Sequence, residues 1–508
     1  MQRVRRLEGK PPYGGDLHGR IQMKLRELLK GIPVLECTAD PDQEIGNVYY
    51  DSRKVTEGSL FVAVSGFAAD GNRFIPMALG KGAVAVVTAK KPQWDVPYVL
   101  VESDRMALAL LGCNFYGHPA RAMTMIGVTG TNGKTSTTLL LKQVLEKTLG
   151  AKVGLIGTMA NMVGDEVIPT ERTTPESFEL QGLFARMRDA GCTHVVMEVS
   201  SHAITLERIG GTWFDIAAFT NLTEDHLDFH KTMDAYCEAK AELFRRCGRA
   251  VINAEDSYAG RMMEAAACPV LTTSAASESG LHARDLELLS EGVRFTAICA
   301  GEEAEVSLPI PGRFTVYNAL TVLGIARQLG ISLTDCAEAL KTAQGVKGRV
   351  EVVPTPGTPY SVLVDYAHTP DGLENVLSSV KDFCRGRVIA VFGCGGDRDP
   401  MKRPIMGRIG VKLSDFAVIT SDNPRTEDPM AIIEDILKGV KQEHGEYIVI
   451  EDRRAAIRYA MDIAKKDDII VLAGKGHETY QEIHGHKYHL DEREEVTAHL
   501  EELRNQNG

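Results

Sequence analysis

Residues 127–136, GVTGTNGKTS, limit the fold of this chain more than any other stretch. An apolar run over 123–128 precedes them and reads as a short buried strand. After them Leu139, Leu140, Leu141, Val144, Leu145 and Leu149 recur at helical spacing. Strand, glycine-rich turn, Gly-Lys-Thr and helix is the layout of a phosphate-binding loop. Its glycines let backbone N–H groups point at an anion, and the helix N-terminus adds partial positive charge. In that layout Lys134 reaches the β- and γ-phosphates of a nucleotide, and the Thr135 hydroxyl ligates Mg²⁺. The strict eight-residue spacing is not kept, because Val128 stands where the first glycine belongs. Gly130, Gly133, Lys134 and Thr135 nonetheless sit between strand and helix as phosphate binding requires.

A length of 508 residues predicts about three domains. The net charge of −12 argues against a general nucleic-acid binder, which needs a basic face. A phosphorylated small molecule can still be held in a local pocket of an acidic protein. The 10 cysteines show no CxxC pair and no zinc spacing, which reads as reduced thiols in a cytoplasm. No apolar run is long enough to cross a bilayer, so no membrane association is expected. Residues 1–22 carry five basic residues among Pro and Gly without an apolar segment, and read as a disordered extension.

In chain order, 23–35 reads as an amphipathic helix, and strands at 59–64 and 83–87 flank a helix at 74–79. Asp51, Ser52 and Arg53 fall in a turn between strands, where a hydroxyl and a guanidinium can hold a diphosphate or a uracil edge. Such residues are also ordinary turn formers. A helix follows from 104 to about 116. The strand at 195–199 ends in EVSSH, and that at 216–220 ends in NLTEDHLDFH. Ligands of open parallel sheets bind beyond the carboxyl ends of the strands. Lys134/Thr135, Glu198/Ser200 and Asp225/His226/Asp228/His230 are therefore expected along one edge. Glu198 suits a hard cation. His226 reads equally as a ligand or as a hydrogen-bonded strand-end histidine. Lys240, on a helix over 235–244, reads on its residues alone as a surface lysine.

GVKGR at 345–349 reads as a hinge. Beyond it, strands at 361–365, 388–392, 416–421 and 469–473 end in DYAHTP, GCGGDRD, DNPR and GKGHE. Four strands with polar or glycine-rich exits predict a second doubly wound sheet. Arg398 and Arg425 follow strands in such turns and can clamp a carboxylate through paired hydrogen bonds.

Together TGTNGKT, MEVSSH, FTNLTEDHLDFH, YxxAKxxLF, GRFTVYNAL, VDYAHTPD, GCGGDRDxxKR, DNPRxEDP and GKGHExYQ closely resemble the Mur ligases of bacterial cell-wall synthesis, across 23–503. DNPR is the form carried by the members that add meso-diaminopimelate to UDP-N-acetylmuramoyl-L-alanyl-D-glutamate. The resemblance implies an α/β protein of three domains: a UDP-sugar domain (23–103), a central P-loop-type ATPase with a parallel sheet (104–347), and a Rossmann-like, doubly wound C-terminal domain (348–508) that closes over ATP and supplies the amino-acid site.

It further implies that Gly130, Thr131, Asn132, Gly133, Lys134, Thr135 and Ser136 bind ATP phosphates, with Asn318 and Arg349 on the nucleotide and Asp365 on the ribose. Ser52 would contact the uridine diphosphate, and Thr173, Thr174, Ser200 and Arg208 the muramoyl-peptide. Thr135, Glu198, His226 and a carbamylated Lys240 would serve Mg²⁺, which reverses the surface reading of Lys240. Lys134, Lys240 and His226 are the expected catalytic residues. Arg398, Asp422, Asn423, Pro424, Arg425, Gly474 and Glu478 would bind diaminopimelate. Thr315 and Leu206 depart from residues common in the family (Asn and Gln) and are assigned no contact.

Overall fold

The structure, a computed structural model, describes residues 22–66, 70–170, 172–278 and 280–507. The extension expected over 1–22 lies outside these residues except for its last position. The chain divides into two compact units. One runs to Ser274 and adds Thr321–Ile331; the other takes Ala275–Leu320 and everything from Ser332 onward.

The first unit holds two larger sheets. A five-stranded sheet has the order Val34–Cys37, Tyr98–Val101, Ala83–Thr88, Ser59–Val62, Val48–Tyr49, and only the first of these runs antiparallel to its neighbour. The turn bearing Asp51, Ser52 and Arg53 follows its edge strand. The second sheet is the expected parallel one. Its order in this unit is Glu166–Ile168, Asn161–Val163, Val153–Ile156, His194–Glu198, Thr124–Thr129, Ile216–Phe219, Ala250–Asn253, Val270–Ser274. The last six run parallel. Helices cover a parallel sheet on its faces, so its strands read as unbroken apolar runs. Ile216–Phe219 is buried at every position, and so is Val153–Ile156. The three strands with polar exits, His194–Glu198, Thr124–Thr129 and Ile216–Phe219, are direct neighbours.

The second unit has an antiparallel meander, Leu281–Leu289, Gly292–Cys299 and Glu302–Leu308, and a six-stranded sheet. The sheet order is Glu351–Val353, Ser361–Asp365, Ile469–Ala473, Val388–Phe392, Phe416–Ile419, Tyr447–Val449; all but the first strand run parallel. Separate apolar clusters pack on its two faces, as in a doubly wound domain. The four expected strands are again neighbours, so DYAHTP, GKGHE, GCGGDRD and DNPR leave one edge together.

Three expectations change. The helix expected over 23–35 shrinks to Leu25–Leu28, between the strands Met23–Lys24 and Val34–Cys37. Gly31, in the left-handed region at φ 75°, and Pro33 stop a longer helix, and the chain beyond pairs with Tyr98–Val101. The helix after the glycine loop begins at Lys134 itself, capped by Gly133 at φ 83°. Lys240 lies on a helix, Met233–Ala241, but is buried, with 1 % of its surface exposed.

The second unit also encloses an ion pair. Arg453 and Glu492, each at the start of a helix, meet at 2.7 Å with both side chains essentially unexposed. Removing one partner of such a pair strands the other charge, at a cost of about 3–5 kcal/mol, whereas replacing both with apolar groups is often neutral. Arg453→Ala is therefore expected to lower the stability of this unit by about that amount in urea unfolding, and Arg453→Met with Glu492→Leu to recover most of it.

Candidate active site

The glycine loop is shaped by its neighbour strand. A side chain at Gly130 would place its Cβ 1.9 Å from Thr220 Oγ1, so only glycine fits there. The residues after Ile216–Phe219 brace the loop: Thr131 N–H donates to the Asn221 carbonyl at 2.8 Å, and Asn132 N–H donates to Asn221 Oδ1 at 2.9 Å. Thr220 Oγ1 donates to the Asn132 carbonyl at 2.7 Å, and Thr223 N–H donates to Thr131 Oγ1 at 3.0 Å.

Two lysines converge on one backbone oxygen. Lys134 Nζ donates to the Gly130 carbonyl at 2.7 Å and to that of Thr131 at 2.8 Å; Lys240 Nζ donates to the same Gly130 carbonyl at 2.8 Å. Lys240 also lies 4.6 Å from the Tyr236 ring centroid, a cation–π distance. Burial lowers the Lys134 pKa, opposed by Glu198 and Asp225 within electrostatic reach. Burial, then repulsion from Lys134, pushes Lys240 well below its ordinary 10.5, against a partial offset from Asp225. Among the described residues no carboxylate forms an ion pair with Lys240, and its amine is held toward the neutral form.

Glu198 is almost wholly buried. Thr158 engages both its oxygens, through N–H at 2.8 Å and hydroxyl at 3.0 Å, and the same hydroxyl lies 3.0 Å from Thr173 Oγ1. Thr174 Oγ1 donates to the Glu198 carbonyl at 2.9 Å, and Arg208 donates to the Thr174 carbonyl at 3.1 Å. Arg208 also pairs with Glu176 at 3.1 Å. Thr173, Thr174, Ser200 and Arg208 are thus brought beside Glu198. His226 is exposed, at φ 55°, and packs edge-on against His202 at 4.8 Å. Among the described residues no three His, Cys, Asp or Glu side chains cluster as metal ligands. Glu198 and Asp225 bring carboxylate oxygens within electrostatic reach of Lys134, and the Thr135 hydroxyl is next in sequence; oxygen donors of this kind suit Mg²⁺. Ser52 is buried, its hydroxyl 3.4 Å from Met77 Sδ, and Arg53 is tied to Asp51 at 2.8 Å. Thr158, Asp225 and Tyr236 are the neighbours that the expected site list omits; Asp225 had a signal in TEDH, and Thr158 had none.

In the second unit Asp365 accepts from Val350 N–H and Ala367 N–H, both at 2.8 Å, and burial raises its pKa despite them. The Arg349 guanidinium lies 5.6 Å from the Tyr366 ring centroid. Asn318 is buried on the helix Arg313–Gln328. Arg425, at φ 51°, donates to the Gly396 carbonyl at 2.7 Å and lies 3.5 Å from Glu482. Arg398 is exposed, and both arginines act on the Asp397 carboxylate. Asn423 Nδ2 donates to Glu478 at 2.9 Å, and Gly474, at φ 121°, leaves no room for a side chain beside Asp422 Oδ2.

Three family descriptions match in series: "Mur ligase family, catalytic domain" over 44–116, "Mur ligase middle domain" over 128–326, and "Mur ligase, glutamate ligase domain" over 348–476. A UDP-N-acetylmuramoyl-L-alanyl-D-glutamate--2,6-diaminopimelate ligase of Clostridium botulinum is 47% identical over 488 residues, covering 95% of this chain and 100% of the relative. The chain belongs to the Mur ligase family. The enzyme of the same name from Caldanaerobacter subterraneus is 48% identical over 483 residues, with 94% and 99% coverage. A solved structure of a ligase of that name superposes with a TM-score of 0.75 at 32% identity, covering 95% of this chain and 100% of the other. Folylpolyglutamate synthase of Mycobacterium tuberculosis shares the fold, at a TM-score of 0.56 and 17% identity, over 73% and 92% of the chains.

The depressed Lys240 pKa has a consequence for stability. Between its folded pKa and 10.5 the unfolded chain binds the extra proton, so stability rises with pH across that window. In buffer freed of carbon dioxide, the unfolding free energy is expected to increase from neutral to alkaline pH. Lys240→Met is expected to flatten that slope; an unchanged slope returns Lys240 to the role of an ordinary lysine.

Proposed function

We propose that this chain is an ATP-dependent ligase that adds meso-diaminopimelate to UDP-N-acetylmuramoyl-L-alanyl-D-glutamate through an acyl phosphate. The γ-carboxylate of the substrate's D-glutamate attacks the γ-phosphorus of ATP and ADP leaves. The amine of diaminopimelate then attacks the acyl carbon, and phosphate departs. The observation that carries the ligase chemistry is the meeting of Lys134 and Lys240 on the Gly130 carbonyl within reach of Glu198 and Asp225. The choice of substrates rests on the full-length relatives. As a phosphorylated nucleotide sugar is its substrate, we assign the enzyme to the cytoplasm, in keeping with its free cysteines.

Phosphoryl transfer depends on positioning and neutralisation of charge. Gly130, Thr131, Asn132, Gly133, Thr135 and Ser136 orient the phosphates, and Lys134 meets the charge that develops on the transferred group. The neutral Lys240 amine adds carbon dioxide, losing a proton, to become a carbamate with two oxygens. Thr135, Glu198, His226 and that carbamate would hold Mg²⁺, which neutralises phosphate charge when bound. Asn318, Arg349 and Asp365 are assigned to the nucleotide. Ser52, Thr173, Thr174, Ser200 and Arg208 are assigned to the UDP-muramoyl-peptide. Arg398, Asp422, Asn423, Pro424, Arg425, Gly474 and Glu478 are assigned to diaminopimelate.

Lys134→Ala is expected to lower kcat by roughly 10²-fold or more with the fold intact. Lys240→Ala should be nearly inactive and regain turnover when a small carboxylic acid is supplied, and ¹³C-bicarbonate should give a carbamate signal in the wild type only. An active Lys240→Ala enzyme without the acid refutes the carbamate.

The distal carboxylate of meso-diaminopimelate, absent from L-lysine, fits a guanidinium fork such as Arg425. A charge-assisted pair of this kind is worth about 1.5–3 kcal/mol. An amino-acid panel should show strong preference for meso-diaminopimelate over L-lysine, lost in Arg425→Ala and little restored in Arg425→Lys. Equal use of the two by the wild type overturns the substrate assignment.

A further inference from the structure

The DNPR and GKGHE exits enclose a lysine that the site assignments leave out. Lys475 is completely buried. Its three ammonium protons have three protein acceptors: Asp422 Oδ1 at 3.3 Å, Asn423 Oδ1 at 3.0 Å and the Tyr480 carbonyl at 2.9 Å. With every donor engaged, Lys475 has none to offer a ligand. Its bond to Asn423 Oδ1 turns the amide so that Nδ2 faces Glu478 Oε2 at 2.9 Å, and Glu478 itself lies 3.7 Å from the ammonium. One cation thus fixes two carboxylates and the amide between them.

The charges in direct contact do not balance. Asp422, Glu478 and Glu492 face Lys475 and Arg453, and Arg453 is held by Glu492 at 2.7 Å. Three carboxylates, two of them buried, against two cations leave one negative charge, with His368 the further titratable group that acts on Asp422. Burial pushes Asp422 upward, but Lys475 and Arg453 more than offset it and keep the carboxyl below its ordinary range. The residual charge is therefore a carboxylate and not a bound proton. At Asp422 Oδ2 the backbone of Gly474 brings no side chain to cover it.

We propose that Lys475 is a positioning residue that sets the charge of this pocket, leaving one uncompensated carboxylate for the distal ammonium of the incoming amino acid. The proposal rests on the ligase reading above. With Lys475 in place, the Asp422 carboxyl is held below its ordinary range, and the pocket selects a substrate with one more positive charge at its far end. Without it, burial at Asp422 loses its largest offset and that carboxyl takes a proton more readily.

The test compares kcat/KM for meso-diaminopimelate with that for L-2-aminopimelate, which keeps both carboxylates and the reacting amine but lacks the distal one. Glu478→Gln, which neutralises the pocket, should lower the wild-type preference by on the order of 10-fold. Lys475→Met with Glu478→Gln restores the net charge and should recover a preference several-fold above Glu478→Gln alone. In Lys475→Met by itself, KM for diaminopimelate should rise at low pH and fall as pH increases, with KM for ATP unchanged. A double variant no more selective than Glu478→Gln overturns the proposal, as does Lys475→Met with a wild-type KM profile. If Lys475→Met is insoluble, the proposal expects the double variant to be soluble, because one cation and one anion leave together; equal insolubility overturns it. A wild type that makes no product from diaminopimelate sinks the ligase reading instead, and a selective wild type with strictly additive variants sinks only the role of Lys475.

Discussion

The Gly130 carbonyl is the point on which the first unit turns. A single backbone oxygen accepts from two lysines on different elements, one opening the helix after the loop and the other on Met233–Ala241. Two like charges cannot both be held fully protonated so close together in a half-dry site. Glu198 and Asp225 both oppose the lowering at Lys134, whereas at Lys240 repulsion from Lys134 adds to burial. Geometry alone therefore gives two chemically identical side chains different electrostatic surroundings.

The arrangement repeats in kind, with other residues, in the second unit. There Asp422, Asn423 and Glu478 gather around a fully buried ammonium, and Arg425 leaves the left-handed DNPR turn toward Gly396. Both units place their polar residues where parallel strands end, because that is where backbone N–H groups and helix starts are left without sheet partners. Sheet order follows the same pattern: the strands with polar or glycine-rich exits are neighbours.

Central strands were legible because a parallel strand covered on both faces has no reason to alternate, and 216–220 or 388–392 read as apolar blocks. The exits were legible because Gly, Asn and Asp cluster after those blocks. The buried state of Lys240 left a trace that residue type concealed: Tyr236, Cys237, Lys240 and Ala241 are the buried positions of their helix, so the lysine lies in an apolar stripe. The meander at 281–308 carries too many charges on its exposed face to stand out, although Glu291-Gly292 and Ala300-Gly301 mark its turns. The helix expected over 23–35 failed at Gly31 and Pro33, which outweighed the apolar spacing before them. Thr158 was invisible because its role depends on a carboxylate forty positions away in sequence.

The 1.9 Å separation between Thr220 Oγ1 and a hypothetical side chain at Gly130 makes the glycine loop half of an object. Its other half is the turn 220–223, which donates into the loop and accepts from it. Sequence drift in either segment is then constrained by the other: a bulkier residue at 220 closes the space that glycine keeps open, and one without the hydroxyl leaves the Asn132 carbonyl to Asn221 Nδ2 alone. Anyone transplanting this loop into another scaffold must carry two adjacent strands, since a peptide bearing TGTNGKT alone brings the wedge without its slot.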